Sequence, residues 1–302
     1  MDDAKKDIAS GVDAEIYAGN QRIPAGQLAL AVSAICIAYT AFHIGVMNLY
    51  PLETWTYRLI HVGGGLVIGF LLFSSTLFGP RGAVEPAATP LMREALVVAP
   101  GALAVTIALL QVLGYWFTAA GIDQAAAKTA DVATMGLPLL CGTGWLIAVA
   151  WFRPGKGRGR IDLCDIFLAV SAIAVTLYII YHAPLLRLRA GTGLAKDADM
   201  YAAITGVVLI LELTRRVAGL ALVIIAGVFV AYSFVGPWLP GVLYHKGYTA
   251  SRFFTYIFTD QGILGPTTAI SSTYIILFVA FAAFLQASRV GEYFVNFAFA
   301  IA

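Results

Sequence analysis

Long stretches without charged side chains constrain this chain more than any other feature. Seven segments of at least 21 residues contain no Asp, Glu, Lys or Arg. A helix that crosses a bilayer needs about 20 apolar residues, because its backbone groups must bond to one another in hydrocarbon. The seven segments therefore predict membrane-spanning helices, at residues 23–52, 59–80, 95–122, 132–152, 166–186, 217–243 and 261–288.

Two further segments are less complete. Residues 200–214 are apolar apart from Thr205, Glu212 and the final Thr214, and predict a short eighth span. A ninth begins near Tyr293 and reaches only Ala302, about half the length that a bilayer core requires. We therefore predict an all-α polytopic membrane protein with about eight complete spans, and expect the chain to be cut within a ninth helix.

Composition excludes several classes of protein. Of the 302 residues, 60% are hydrophobic and 12% charged, against about 25% charged in soluble domains. A net charge of +2 gives no basic surface for nucleic acid. Cys36, Cys141 and Cys164 are far apart and predict core residues rather than disulfides or a metal site. No catalytic motif is present, so we expect no enzymatic activity, metal or cofactor.

The distribution of basic residues predicts the orientation. Twelve Lys and Arg residues fall on the side of the N-terminus and seven on the other, including a run of Arg and Lys at 153–160. Basic loops are retained in the cytoplasm, which predicts a cytoplasmic N-terminus and an extracytoplasmic loop at 237–262. The acidic residues before residue 23 argue against a cleavable signal peptide.

Ionisable side chains near the membrane suggest two hypotheses. Glu212, Arg215 and Arg216 share one helix face, which predicts a structural ion-pair clamp rather than an ion pathway. His43 and His61 lie near the outer ends of the first two spans, where facing imidazoles would suit a b-type haem in an electron-transfer subunit. His182 and His245 lie near interfaces without a zinc-like ligand set.

The outer loop and the following span carry two further candidate sites. Residues 251–258 predict a short amphipathic helix that Ser251 could cap, in an aromatic loop that either sets membrane depth or docks a partner through Tyr248, Arg252 and Tyr256. The hydroxyl side chains after the Gly265-Pro266 interruption either bond back to their own helix or line a polar path. The candidate pathway residues are Ser271, Ser272 and Thr273.

An ordered series of short motifs extends over residues 209–300. It includes Leu-Glu-Leu-Thr-Arg-Arg at 211–216, Gly-Pro-Trp-Leu-Pro-Gly at 236–241, Gly-Ile-Leu-Gly at 262–265 and Ser-Ser-Thr-Tyr at 271–274. The series resembles the fused permeases of tripartite ATP-independent periplasmic (TRAP) transporters, in the subgroup that works with TAXI-type binding proteins. Ile60-His61-Val62-Gly63 and Ile161-Asp162 resemble the small-subunit portion more weakly.

The resemblance implies a role in the bacterial inner membrane. Such permeases import small organic acids, driven by sodium, with a periplasmic solute-binding protein as partner. It divides the chain into a cytoplasmic tail at 1–22, a small-subunit-like region of about six spans at 23–214, and the start of the large subunit at 215–302. Spans 95–122 and 132–152 are additional to the family pattern, and the family's sodium and substrate sites are expected after residue 302. A membrane scaffold without transport is a third hypothesis.

Overall fold

The molecule consists of helices packed side by side. The structure, a computed structural model, describes residues 19–77, 91–117, 132–153 and 157–301. Its α-helices, in chain order, are α1 (Gly26–Asn48), α2 (Thr54–Leu72), α3 (Leu91–Phe117), α4 (Leu137–Phe152, after a π-helical turn at Val132–Gly136), α5 (Leu163–Arg189), α6 (Asp197–Ala218), α7 (Leu220–Val235), α8 (Ala250–Ile257), α9 (Pro266–Ala287, with a π-helical turn at Ser271–Ile275) and α10 (Val290–Ile301).

The all-α fold class is confirmed, since the protein is 80% helical and the described residues form no β-strand. Seven of these helices (α1 to α5, α7 and α9) are long and apolar enough to cross a membrane, and each overlaps one of the seven predicted segments. The predicted count of about eight complete spans and a ninth that is cut stays a prediction. Helix α6 has 22 residues, but acidic side chains in its first turn and Arg215 and Arg216 in its last make it more polar. A multi-pass membrane protein is the architecture that these helices fit.

Helix α5 lies at the centre of the bundle. It packs against α2, α3, α4 and α6, and more than half of the residues in its most apolar stretch are buried by other parts of the protein. Glycines permit two of the close helix contacts. A Cβ atom at Gly63 of α2 would meet Thr176 of α5, and Gly101 of α3 faces Gly142 of α4. Small residues of this kind allow helix backbones to approach in a membrane.

The helix ends form two separate polar regions. Arg22, the start of α5 and the end of α6 meet at one end of the bundle, which we call the Arg22 end. Glu53, before α2, and Arg187, near the end of α5, meet at the opposite end, which we call the Glu53 end. If successive spans cross the membrane in alternate directions, Arg22, the start of α5 and the end of α6 lie on one side, and Glu53 and Arg187 lie on the other. The contacts at the two ends of the bundle agree with this alternation.

Two local predictions are wrong. The helix predicted at 251–258 is α8, but its cap is Thr249, whose hydroxyl accepts a hydrogen bond from the backbone N–H of Arg252 at 3.4 Å. The chain adopts its first helical turn one residue earlier than expected, so Ser251 lies inside the helix. Of the three cysteines, Cys164 is buried, whereas Cys141 is exposed on α4.

Candidate functional site

A π-helical turn interrupts α9 at Ser271–Ile275. Such a turn bonds each N–H to the carbonyl five residues earlier, and therefore leaves a carbonyl without a partner in the helix. Here the phenol of Tyr57 on α2 donates to the carbonyl of Ser272, and Ser272 is fully buried. The irregular turn is thus held by a side chain of another helix. π-Helical turns occur frequently at functional sites.

The three candidate pathway hydroxyls have different surroundings. Ser272 and Thr273 both donate to the carbonyl of Ala269, at 3.1 and 2.7 Å, so their hydroxyls bond back to their own helix. Ser271 points instead to α2, where its Oγ lies 3.0 Å from Nε2 of His61. Of the three, Ser271 lines the neighbouring cleft and the other two do not. Of these three candidates, a path along the cleft would therefore involve only Ser271.

The cleft beside the π-helical turn has a volume of about 570 Å³. Its walls are formed by α2, α6 and the start of α9, with Tyr39 of α1 at one edge. Most of its surface is apolar, and its polar groups include Tyr39, His61, Thr267, Thr268 and Ser271. A mainly apolar cavity with a few convergent polar groups is the usual form of a small-molecule site.

The two histidines of the haem hypothesis do face each other. Nε2 of His43 lies 2.9 Å from Nδ1 of His61, which is a hydrogen-bond distance. Two imidazoles that ligate one iron from opposite sides must leave space for two metal–nitrogen bonds of about 2 Å each. The pair is therefore too close to hold a haem between its rings, and the residues present do not fit the group.

Glu212 lies within an extensive ion-pair cluster at the Arg22 end. Its carboxylate accepts from Arg215 at 2.8 Å and from Arg216 at 2.7 Å, and Trp151 of α4 donates to it at 2.9 Å. Arg216 also reaches Asp165 on α5 at 2.7 Å. Glu212 and Arg216 are about 95% buried. The structure thus brings together the three residues of the predicted clamp and joins them to α4 and α5.

Sequence reasoning missed half of this cluster. Arg22, counted in the predicted N-terminal tail, is buried and pairs with Asp162 at 2.9 Å and with Asp165. The side-chain amide of Asn20 donates to the carbonyl of Arg216 at 2.7 Å. The available signal was the pair of acids at positions 162 and 165, three residues apart at the start of a span. Residues 1–18 of the predicted tail lie outside the described residues.

The three candidate docking residues are all exposed at the Glu53 end. Tyr248 and Tyr256 each leave about half of their surface uncovered, and Arg252 is exposed on α8. The opposite face of α8 is anchored, since Thr255 and Phe258 are buried and Phe258 packs against Gly206 of α6. Tyr256 also packs on Gly191, and the ring of Tyr248 lies 6.0 Å from that of His245 and 6.4 Å from that of Phe253.

A second cleft, of about 590 Å³, opens beside α8 at the Glu53 end. Glu53 caps α2 by accepting from the backbone N–H groups of Trp55 and Thr56, at 2.9 and 3.0 Å, and it pairs with Arg187. Partial burial opposes ionisation of Glu53, but these hydrogen bonds outweigh it and lower its pKa to about 2. Arg58, in the same cleft, donates to the carbonyl of Leu264 at 2.5 Å.

The described residues contain no group of three or more His, Cys, Asp or Glu side chains arranged to hold a metal ion. The absence of metals, cofactors and catalytic residues stays a prediction. Comparison with known proteins gives no match to a family model, to a curated protein or to a solved structure.

Proposed function

We propose that this chain is a membrane component of a TRAP-type secondary transporter. It imports a small organic acid across the bacterial inner membrane, with its N-terminus in the cytoplasm, a sodium or proton gradient as driving force, and an extracytoplasmic solute-binding protein as partner. In this proposal residues 23–214 correspond to the small subunit, and residues 215–302 to the start of the large subunit.

One observation carries the proposal. Residues from three of the motifs in the resemblance line the 570 Å³ cleft: Leu213 and Thr214 from the motif at 211–216, Ile263 from the Gly-Ile-Leu-Gly motif, and Ser271 from the Ser-Ser-Thr-Tyr motif. The first of these motifs lies more than 40 positions before the other two. Motifs that converge on one cleft at membrane depth are expected of a permease. Broken helices in transporters likewise face a cavity or other protein segments.

The parts of the molecule then have distinct roles. The ion-pair cluster at the Arg22 end fixes α5 and α6 to the segment that precedes α1. The exposed residues of α8 and its loop receive the binding protein. The broken helix α9 and its cleft lie between these regions. No observation favours the electron-transfer alternative with His43 and His61, and a reduced-minus-oxidised absorbance spectrum of the purified protein would test it directly.

Uptake by proteoliposomes tests the transport proposal. The protein, as its gene encodes it, is reconstituted with an extracytoplasmic solute-binding protein from the same organism, and radiolabelled mono- and dicarboxylates are supplied outside. We expect accumulation that requires the binding protein and an inward sodium or proton gradient. Binding of the solute-binding protein to the liposomes without gradient-dependent accumulation of any acid would contradict the transport role and favour a scaffold.

A further inference from the structure

The histidine pair, in which His43 is buried and His61 half-buried, has a hydrogen-bond arrangement with a definite direction. Nδ1 of His43 lies 2.8 Å from the carbonyl of Tyr39, one turn earlier on α1. A carbonyl can only accept, so this nitrogen must carry a hydrogen. In a neutral imidazole the other nitrogen is then an acceptor. Nε2 of His43 therefore accepts from Nδ1–H of His61 at 2.9 Å.

The same reasoning extends to α9. Because Nδ1 of neutral His61 carries the hydrogen, its Nε2 is an acceptor, and the hydroxyl of Ser271 must donate to it at 3.0 Å. The hydroxyl of Tyr39 donates to the carbonyl of His61 at 2.8 Å, so its oxygen is free to share the Nδ1 hydrogen at the same distance. This series of hydrogen bonds runs from Ser271 in the cleft wall to the carbonyl of Tyr39, and every ring nitrogen along it has a partner.

From this geometry we propose that His43 and His61 together form a binding site for a single proton, exchanged with the cleft through Nε2 of His61. An added proton on Nε2 reverses the bond to Ser271, whose oxygen then accepts, and every ring nitrogen keeps a partner. A second proton would have to sit on Nε2 of His43. It would break the bond between the rings and place two cations in direct contact, which like-charge repulsion opposes.

Aromatic rings surround the pair and suit a cation. The ring of Tyr39 lies 4.4 Å from that of His43 and 6.0 Å from that of His61, and those of Phe42 and Tyr57 lie 5.3 and 5.4 Å from His43. A cation that lies over the face of an aromatic ring, within about 6 Å of its centroid, is attracted by the ring quadrupole. His43 itself has no exposed surface, so these rings replace solvent around it.

The helices around the pair hold few other charged or titratable groups. On α6, which lines the same cleft, Glu212 pairs with Arg215 and Arg216 in the cluster at the Arg22 end. Helices α1, α2 and α9 contain no Asp or Glu, and their one charged residue is Arg58, a turn before His61. Its guanidinium donates to the carbonyl of Leu264, and its charge opposes protonation of the pair. The other titratable side chains of these three helices are Cys36, Tyr39, Tyr57 and Tyr274.

Nitrogen-15 NMR of the purified protein, labelled at histidine, tests the proposal without any solute or partner protein. Spectra are recorded from pH 3.5 to 9, with assignments from His43→Gln and His61→Gln. We expect the signals of His43 and His61 to shift together with pH, in a single titration step that corresponds to the binding of one proton. His182 and His245, on other elements, give reference signals in the same spectra. Two separate steps for the pair, or no step of the pair across this pH range, would overturn the proposal.

A second pair of variants addresses the exchange through Ser271 if a histidine variant misfolds. Ser271→Ala removes the acceptor of the proposed Nε2–H bond, and bonds to charged donors are roughly twice as strong as neutral ones. We expect the proton affinity of the pair to fall about three- to tenfold. Thr273→Ala removes a hydroxyl from the same helix that bonds only to its backbone, and should leave the titration unchanged. Equal effects of the two variants would also overturn the proposal. Failure of the transport proposal would leave this titration unaffected.

Discussion

Arg216 on α6 donates to Asp165 on α5 over 2.7 Å, and neither side chain is more than 1% exposed. The other carboxylate oxygen of Asp165 accepts from Arg22, which is also fully buried. A single carboxylate therefore joins two helices and the segment before α1. Buried charges of this kind are tolerated only when they are paired.

The first prediction concerns Asp165. Asp165→Asn leaves Arg22 and Arg216 short of one negative charge, and removal of one partner of a buried ion pair typically costs about 3–5 kcal/mol. We expect a large loss of folded protein, measured as the detergent melting temperature. Asp162→Asn is the matched control, because Asp162 also pairs with Arg22 but is 18% exposed. It should cost less than Asp165→Asn, because Asp162 is partly exposed and solvent screens part of its charge. Equal losses would contradict the central position of Asp165.

The second prediction separates two roles for Glu212. As a clamp, its carboxylate holds Arg215, Arg216 and Trp151, so Glu212→Gln should lower the yield of folded protein while the folded fraction retains uptake. In an ion pathway the same variant would fold with normal yield and lose uptake. Yield by size-exclusion chromatography and uptake per folded molecule are measured on the same preparation. Normal yield with no uptake would contradict the clamp.

The helices were predictable because their cause is local. Each apolar segment must form a helix to satisfy its own backbone in a membrane, so seven charge-free segments define seven helices. The Glu212 clamp was equally accessible, because spacings of three and four residues place side chains on one helix face. Gly265-Pro266 indicated where α9 begins, but not the π-helical turn at Ser271–Ile275 within it.

The long-range partners were not predictable from one sequence. Arg22 contacts Asp165 across more than 140 positions, and Tyr57 contacts Ser272 across more than 200. No local spacing encodes such a pair, since it depends on how the helices pack. The same holds for His43 and His61, whose position near matching helix ends indicates proximity but not the direct hydrogen bond. The cap of α8 moved from Ser251 to Thr249 because either hydroxyl can start a helix.

The third prediction concerns orientation. In a background where Cys36, Cys141 and Cys164 are replaced, Gly157→Cys should be protected from an impermeant thiol reagent in intact cells, and Lys246→Cys should be labelled. Gly157 lies in the predicted basic loop at 153–160, of which residues 154–156 lie outside the described residues. Permeabilised cells should label both positions, which controls for burial of the thiol. The opposite pattern in intact cells would reverse the predicted topology.

The fourth prediction concerns the docking surface. Tyr248→Ala and Arg252→Ala should weaken capture of the solute-binding protein about tenfold or more, because aromatic and Arg side chains dominate interface energetics. Tyr256→Ala should also lower the melting temperature, since Tyr256 packs on Gly191. Tyr50→Ala is the control, as Tyr50 is 82% exposed in the loop between α1 and α2. Lower stability with unchanged affinity for all three would instead indicate an interfacial aromatic belt.

The last prediction concerns the pH dependence of stability through Glu53. Its pKa of about 2 in the folded protein lies below its ordinary value of 4.5, so the charged form is favoured by folding. The stabilisation is complete above about pH 4.5 and is lost as pH falls toward 2. The melting temperature of the native protein should therefore exceed that of Glu53→Gln by a constant, small amount from pH 5 to 7.5.

Below pH 4.5 the difference should decrease and nearly vanish at pH 2. The amount is small because the Glu53 and Arg187 side chains are 47% and 38% exposed, where solvent screens the pair. Arg187→Gln removes the ion pair but keeps the two backbone N–H bonds to Glu53, so it isolates the helix cap. Arg187→Gln should lower the melting temperature at pH 7 by less than Glu53→Gln does. Its remaining stabilisation by Glu53 should still depend on pH, at low salt and at high salt alike. A difference that persists unchanged at pH 2.5 would show that Glu53 stabilises the helix without its charge.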